Sequence, residues 1–199
     1  MAPTSPSMIA PPIFRDDDFD NVDETWQHGA FIGGMVAGYA DAGLAEDYRR
    51  AADALVERSL RDDSIHEIVM PVLFLYRHAI ELRLKSIARP EKLDHNLQGL
   101  VSRVNTLLAE AGGSELARDV VKRIGEISGF DPAADAFRFT HARRKKHEKR
   151  PEMHFINEVW VDVRLLRSVV AEIDQALLEA SARLAGTRSE PNAAATSLP

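Results

Sequence analysis

Residues 64–89 read SIHEIVMPVLFLYRHAIELRLKSIAR, and the reading of this stretch decides the fold. Drawn as a helix, it carries apolar side chains on nearly every side, from Ile68 and Val72 through Leu75 to Leu84 and Ile87. A helix of that kind has to be surrounded by others. Ser64 followed by Glu67 forms a capping-box pattern at its start, and Pro90 stops it. Pro71 lies beyond the first turn and predicts a kink or a loosened turn. A strand over IVMPVLFLY is the alternative; the length of the segment and its polar spacing favour helix.

Working outward, residues 44–60 repeat apolar positions in steps of three and four, with Leu44, Tyr48, Ala52 and Val56 on one side. Residues 95–111 carry a stripe from Leu97 to Leu108, closed by Gly112 and Gly113. Ser114 opens a helix over 115–128, and Asp131-Pro132 starts a short one over 132–137. Residues 158–185 return to helical spacing. Residues 26–43 hold five glycines at spacings suited to close helix packing, without a phosphate-loop pattern. Residues 138–157 have no period and form a long excursion, a kind of loop often tied to function or disorder. The chain is therefore expected to be an all-α bundle of five to seven helices. Residues 1–25 are expected to be a disordered acidic arm, 26–185 a single domain, and 186–199 a disordered tail.

The chain has 199 residues, a net charge of −6 and no cysteine. An acidic balance gives no global attraction for nucleic acid, so any basic site has to be local. The lack of cysteine excludes disulfides and thiol chemistry and fits a reducing compartment, so a cytoplasmic location is expected. No signal-peptide pattern and no apolar run of about 18 residues is present, so no membrane span is expected.

Two constellations could carry chemistry. Arg77, Glu81 and Lys85 share one stripe at i, i+4 and i+8, and His78 is three residues from Glu81. The carboxylate should stay ionised between its cations, and His78 beside it should favour its protonated form. This stripe is either an anion pocket with a histidine acid or an ion-paired seam that holds a buried helix in register. Arg138 is read with it as part of a polar pocket.

The second constellation is the run Arg143, Arg144, Lys145, Lys146, Lys149 and Arg150, interspersed with His141, His147 and His154 and flanked by Phe137, Phe139 and Phe155. Cations supply phosphate affinity and aromatic rings stack on unpaired bases. The alternatives are a solvated loop and phenylalanines that anchor its two ends. The acidic residues 16–24 could cover this run. The histidine spacings match no zinc motif, so no metal and no cofactor is expected.

Four stretches carry a family resemblance: GYADAGLAEDYRRAADALVE (38–57), PVLFLYRHAIELRLKSI (71–87), HNLQGL (95–100) and FRF (137–139). With them the chain resembles the HEPN-like helical proteins of bacteria over roughly 38–180. The resemblance implies an RNA- or nucleotide-binding domain, a homodimer, and a role in defence or toxin–antitoxin systems. Many such proteins are metal-independent ribonucleases with an Arg-x(4–6)-His signature. Here Arg61…His66 and Arg89…His95 have that spacing, whereas Arg143…His147 and Arg150…His154 are one residue short. If this chain cuts RNA, His78 or His147 would move the proton and an arginine would stabilise the phosphate. Non-catalytic members act as binding or scaffold domains, so the alternative is a non-enzymatic interaction module.

Overall fold

The computed structural model describes residues 41–90, 94–139, 141, 155 and 157–188. The chain divides after Gly38 into two units, and every described residue belongs to the second, Tyr39–Pro199. The boundary expected at 25–26 lies outside the described residues. Five helices, α1 (Asp41–Asp62), α2 (Ile65–Ala88), α3 (Leu97–Glu110), α4 (Arg118–Phe130) and α5 (Val163–Arg188), and no strand occur among the described residues. No helix among them is long and apolar enough to cross a membrane.

α2 is the central element. It packs against α1, α3 and α5, as its apolar circumference requires. The burial is uneven along its length. From Tyr76 onward nearly every residue is buried, whereas in the turns before it Val72 alone is. Pro71 lies inside the helix at an exposed position, and α2 is continuous through it. The lost N–H bond therefore falls where water can reach the freed carbonyl. Ser64 caps α2 without a side-chain bond, so the expected capping box does not form. Asp63, at φ 52°, instead turns the chain sharply from α1 into α2. At the far end Arg89 adopts φ 44° and its N–H returns to Lys85 O at 2.9 Å, with Pro90 next.

The other ends follow local chemistry. Asn96 caps α3 by accepting from Gly99 N (3.1 Å). α3 closes with paired bonds, Gly112 N to Ala109 O and Gly113 N to Leu108 O, both 2.9 Å, around Gly112 at φ 73°. That is the glycine-terminated helix end the sequence pointed to. α4 starts three residues later than expected: the Leu116 N–H donates to Asn105 Oδ1 (3.0 Å), and Ala117, at φ −55° and ψ 141°, stands outside the helix. The short helix expected over 132–137 is a set of turns, since Ala134 takes φ 59°. Asp131 Oδ1 collects the N–H groups of Asp135 (2.7 Å) and Ala136 (2.8 Å) there.

α5 begins at Val163, capped by Asp162 Oδ1 from Arg164 N (2.9 Å) and Leu165 N (3.0 Å). Residues 158–162, expected as helix, precede it. It continues through Gly186 to Arg188, past the point where a tail was expected.

The core lies between α2, α3 and α5, with Leu84, Leu97, Ile173 and Leu177 among its largest buried side chains. Val56 of α1 and Ile124 of α4 close it from either side. Leu84→Ala is expected to lower unfolding stability by about 2–5 kcal/mol in urea denaturation, the usual range for truncating a fully buried leucine. Leu165→Ala, at an exposed position of α5, is expected to change it by less than about 0.5 kcal/mol.

Candidate functional site

The polar stripe of α2 resolves into two separate places. Arg77, Glu81 and Lys85 point toward the start of α3 and the Asp131 turn. Arg77 and Glu81 are 2% and 1% exposed and Asp131 is 0% exposed, so this group is sealed rather than open as a cleft. Arg77 Nη1 donates to Glu81 Oε2 (2.7 Å), Nε to Asp131 O (3.0 Å) and Nη2 to His95 O (2.9 Å). Lys85 Nζ donates to Glu81 Oε1 at 2.7 Å. Each arginine nitrogen is thus committed inside the protein, and one guanidinium ties α2 to two chain segments remote in sequence.

His95 completes the group. Its Nδ1 lies 2.9 Å from Glu81 Oε1, and its side chain is 55% exposed. An ionised carboxylate can only accept, so Nδ1 carries the proton. Burial acts to raise the Glu81 pKa, but the hydrogen bonds from Lys85, His95 and Arg77 outweigh it and hold the carboxyl below its ordinary value. Asp131 Oδ2 lies 3.3 Å from Arg77 Nε and is a buried side-chain oxygen that accepts no hydrogen bond. His95 was missed as a site residue. It lies 14 residues from Glu81 across a helix end, where no helical spacing could pair them.

His78 is not part of this group, contrary to the spacing argument. Its ring stacks on Phe74, with centroids 5.7 Å apart and planes at 7°, and Tyr48 of α1 meets it edge-on at 4.6 Å. Burial among these rings lowers its pKa and outweighs the attraction of Glu81, so the imidazole is neutral near pH 7 rather than protonated.

Arg138 is likewise separated from the buried stripe. It is exposed, and its guanidinium lies 5.6 Å from the Phe74 ring centre and 5.4 Å from that of Phe139. Its Nε and Nη2 both donate to Ala134 O. Phe137 is buried and stacks with Phe155 at 6.2 Å, so these two phenylalanines anchor the ends of the excursion. Phe139 does not; it is 58% exposed. The basic run Arg143, Arg144, Lys145, Lys146, Lys149 and Arg150, with His147, lies outside the described residues, as do the acidic residues 16–24.

A further charge cluster joins α1, α2 and α5. Arg83 Nε donates to Asp174 Oδ1 (2.8 Å), Arg49 Nη1 to Asp53 Oδ2 (2.8 Å), and the Tyr76 hydroxyl to Asp53 Oδ1 (2.6 Å). Burial and the Asp53 bond push the Tyr76 pKa far up, so it stays a neutral donor. A cleft of 590 Å³ beside it is lined by Glu46, Arg49, Arg83 and Asp174, whose charges are paired with one another. Comparison with protein-family models, with curated proteins and with solved structures returns no match for this chain.

Removing the carboxylate that Arg77, Lys85 and His95 share should leave Lys85 without a carboxylate partner and Arg77 with Asp131 alone. Glu81→Ala is expected to lower stability by about 3–5 kcal/mol in urea denaturation at neutral pH. Arg58→Ala, which breaks an exposed pair with Asp62, is expected to change it by less than about 1 kcal/mol. A depressed carboxyl pKa makes the Glu81 contribution fully present above its unfolded value of 4.5 and lost as pH falls through the folded one. The gap between wild type and Glu81→Ala should therefore narrow below that pH.

Proposed function

We propose that this chain is an HEPN-like helical domain that binds RNA or a nucleotide-like anion. The observation that supports this best is the position of Arg138. Of the cations first considered together, Arg77 and Lys85 are consumed by Glu81 inside the bundle, whereas Arg138 stands at the surface between two phenyl rings. It lies five residues before Arg143, where the basic run begins. Six cations within eight residues make a local phosphate-binding field in a chain whose net charge is −6. The buried stripe then acts as the seam that holds α2, α3 and the Asp131 turn together, and binding falls to the surface.

The reading is tested by anisotropy of a labelled RNA oligonucleotide across a salt series. Binding is expected at low salt, with log K falling by about 0.7 per phosphate contact per log unit of salt. Changing Arg143, Arg144, Lys145 and Lys146 together to alanine should weaken binding severely and flatten the slope. No binding at low salt by the wild-type chain would refute it.

One observation favours a second reading, an interaction module that works by self-association. Trp160 is 93% exposed, with the exposed apolar Val159 beside it and Leu165 on the first turn of α5. Tryptophan is the residue most enriched among interface anchors. In that reading sedimentation equilibrium shows a dimer for the wild type and a monomer for Trp160→Ala. Identical masses for the two would remove it.

A further inference from the structure

We infer that Phe74, His78, Arg138 and Phe139 form a stacking site for an unpaired nucleobase carrying a phosphate. The inference deepens the RNA- or nucleotide-binding reading and rests on it for the source of the base. It concerns described residues only. The ligand chemistry is a planar heteroaromatic ring joined to an anion, free as a nucleotide or as one residue of a single strand.

Three features support it. First, the rings are held in place from below. Phe74 and His78 lie one turn apart on α2 with planes at 7°, and Tyr48 braces His78 edge-on at 82°. Second, the arginine plane is fixed before any ligand arrives. Two of its nitrogens are tied to Ala134 O, and the guanidinium lies against both Phe74 and Phe139. Its Nη1 makes no hydrogen bond among the described residues. Third, Phe139 is 58% exposed although Phe137, two residues earlier, is buried. A phenyl ring left in water beside a fixed cation offers an apolar face and a charge together, which a base with its phosphate complements.

His78 adds a means of discrimination. It is neutral, so it carries one donor and one acceptor nitrogen. Neither nitrogen has a hydrogen-bond partner among the described residues. A site built on ring faces excludes duplex, whose bases are stacked on each other and present only edges. The binding partner is then single-stranded RNA or a mononucleotide rather than a helix.

The full chain is tested by anisotropy against a labelled single-stranded oligoribonucleotide and its duplex, and by calorimetry with adenosine monophosphate. Phe139→Ala is expected to weaken single-strand binding about 5- to 100-fold, as loss of one stacked base does. The salt slope should stay unchanged, because no cation is lost. Phe139→Tyr should restore binding and Phe139→Leu should not, since Leu keeps the apolar contact without the ring. Thermal melting of each variant, expected to match wild type at this exposed position, separates stacking from unfolding. Adenosine monophosphate that binds and is lost in Phe139→Ala identifies a free nucleotide as a sufficient ligand; binding by the oligonucleotide alone identifies RNA. If Phe139→Ala or Phe139→Leu binds single strands as wild type does, the stacking site is overturned while RNA binding through the basic run stands. If neither RNA nor nucleotide binds at low salt, both readings fall.

Discussion

The carboxylate of Glu81 is the point on which the arrangement of this domain depends. It is buried, ionised and shared by three donors on two different segments of chain. Arg77, held at one end by this carboxylate, grips the backbone of Asp131 and of His95 at the other. Two positions that are 54 and 18 residues from Arg77 are thereby brought to one place. Apolar packing alone would bring α3 against α2, because Leu97, Leu100 and Val104 need cover. It does not determine how the start of α3 and the end of α4 are seated along the helix. Directional bonds to a buried guanidinium do, because each has a narrow range of length and angle.

This division of labour explains why α2 carries polar groups of two different fates. On the side facing α3 they are paired, sealed and structural, apart from the exposed edge of His95. On the side facing α1, His78 is an imidazole surrounded by rings, and Tyr76 and Arg83 are bonded to Asp53 and to Ala42 O of α1. The turn after α4 connects the two. Asp131 serves the sealed group through its backbone oxygen and its carboxylate, and its Oδ1 ties down the turn from which Arg138 and Phe139 emerge. Loss of the buried network would therefore loosen the surface proposed for binding, although no residue is common to both. A second, more exposed lattice of charges over Arg49, Asp53, Arg83 and Asp174 holds α1 and α5 against α2, and its pairing leaves no cation there for a ligand.

The helices and the pairing of Arg77, Glu81 and Lys85 were legible from spacing, since residues four apart on a helix are neighbours whatever surrounds it. The glycine end of α3 was legible for the same local reason. His78 shows where such reasoning stops. At i, i+3 from Glu81 it could reach the carboxylate, but Tyr48 from another helix and Phe74 from its own offered rings, and burial among them removed its charge. Phe137 and Phe139 belong to one motif, yet one is buried and the other exposed. Burial along a set of turns depends on backbone angles that the residue names do not carry.

The sequence by itself determined an all-helical bundle wrapped around residues 64–89, because hydrophobic periodicity and helix-ending residues act over a few turns of chain. It also determined that a carboxylate in that helix would lie between two cations. Only the tertiary structure decided that this group is sealed, that His95 and Asp131 complete it, and that Arg138 stands apart at the surface between two rings. Those outcomes depend on which distant segments meet, and a buried charge takes its partners from whatever the folded chain brings within hydrogen-bonding distance.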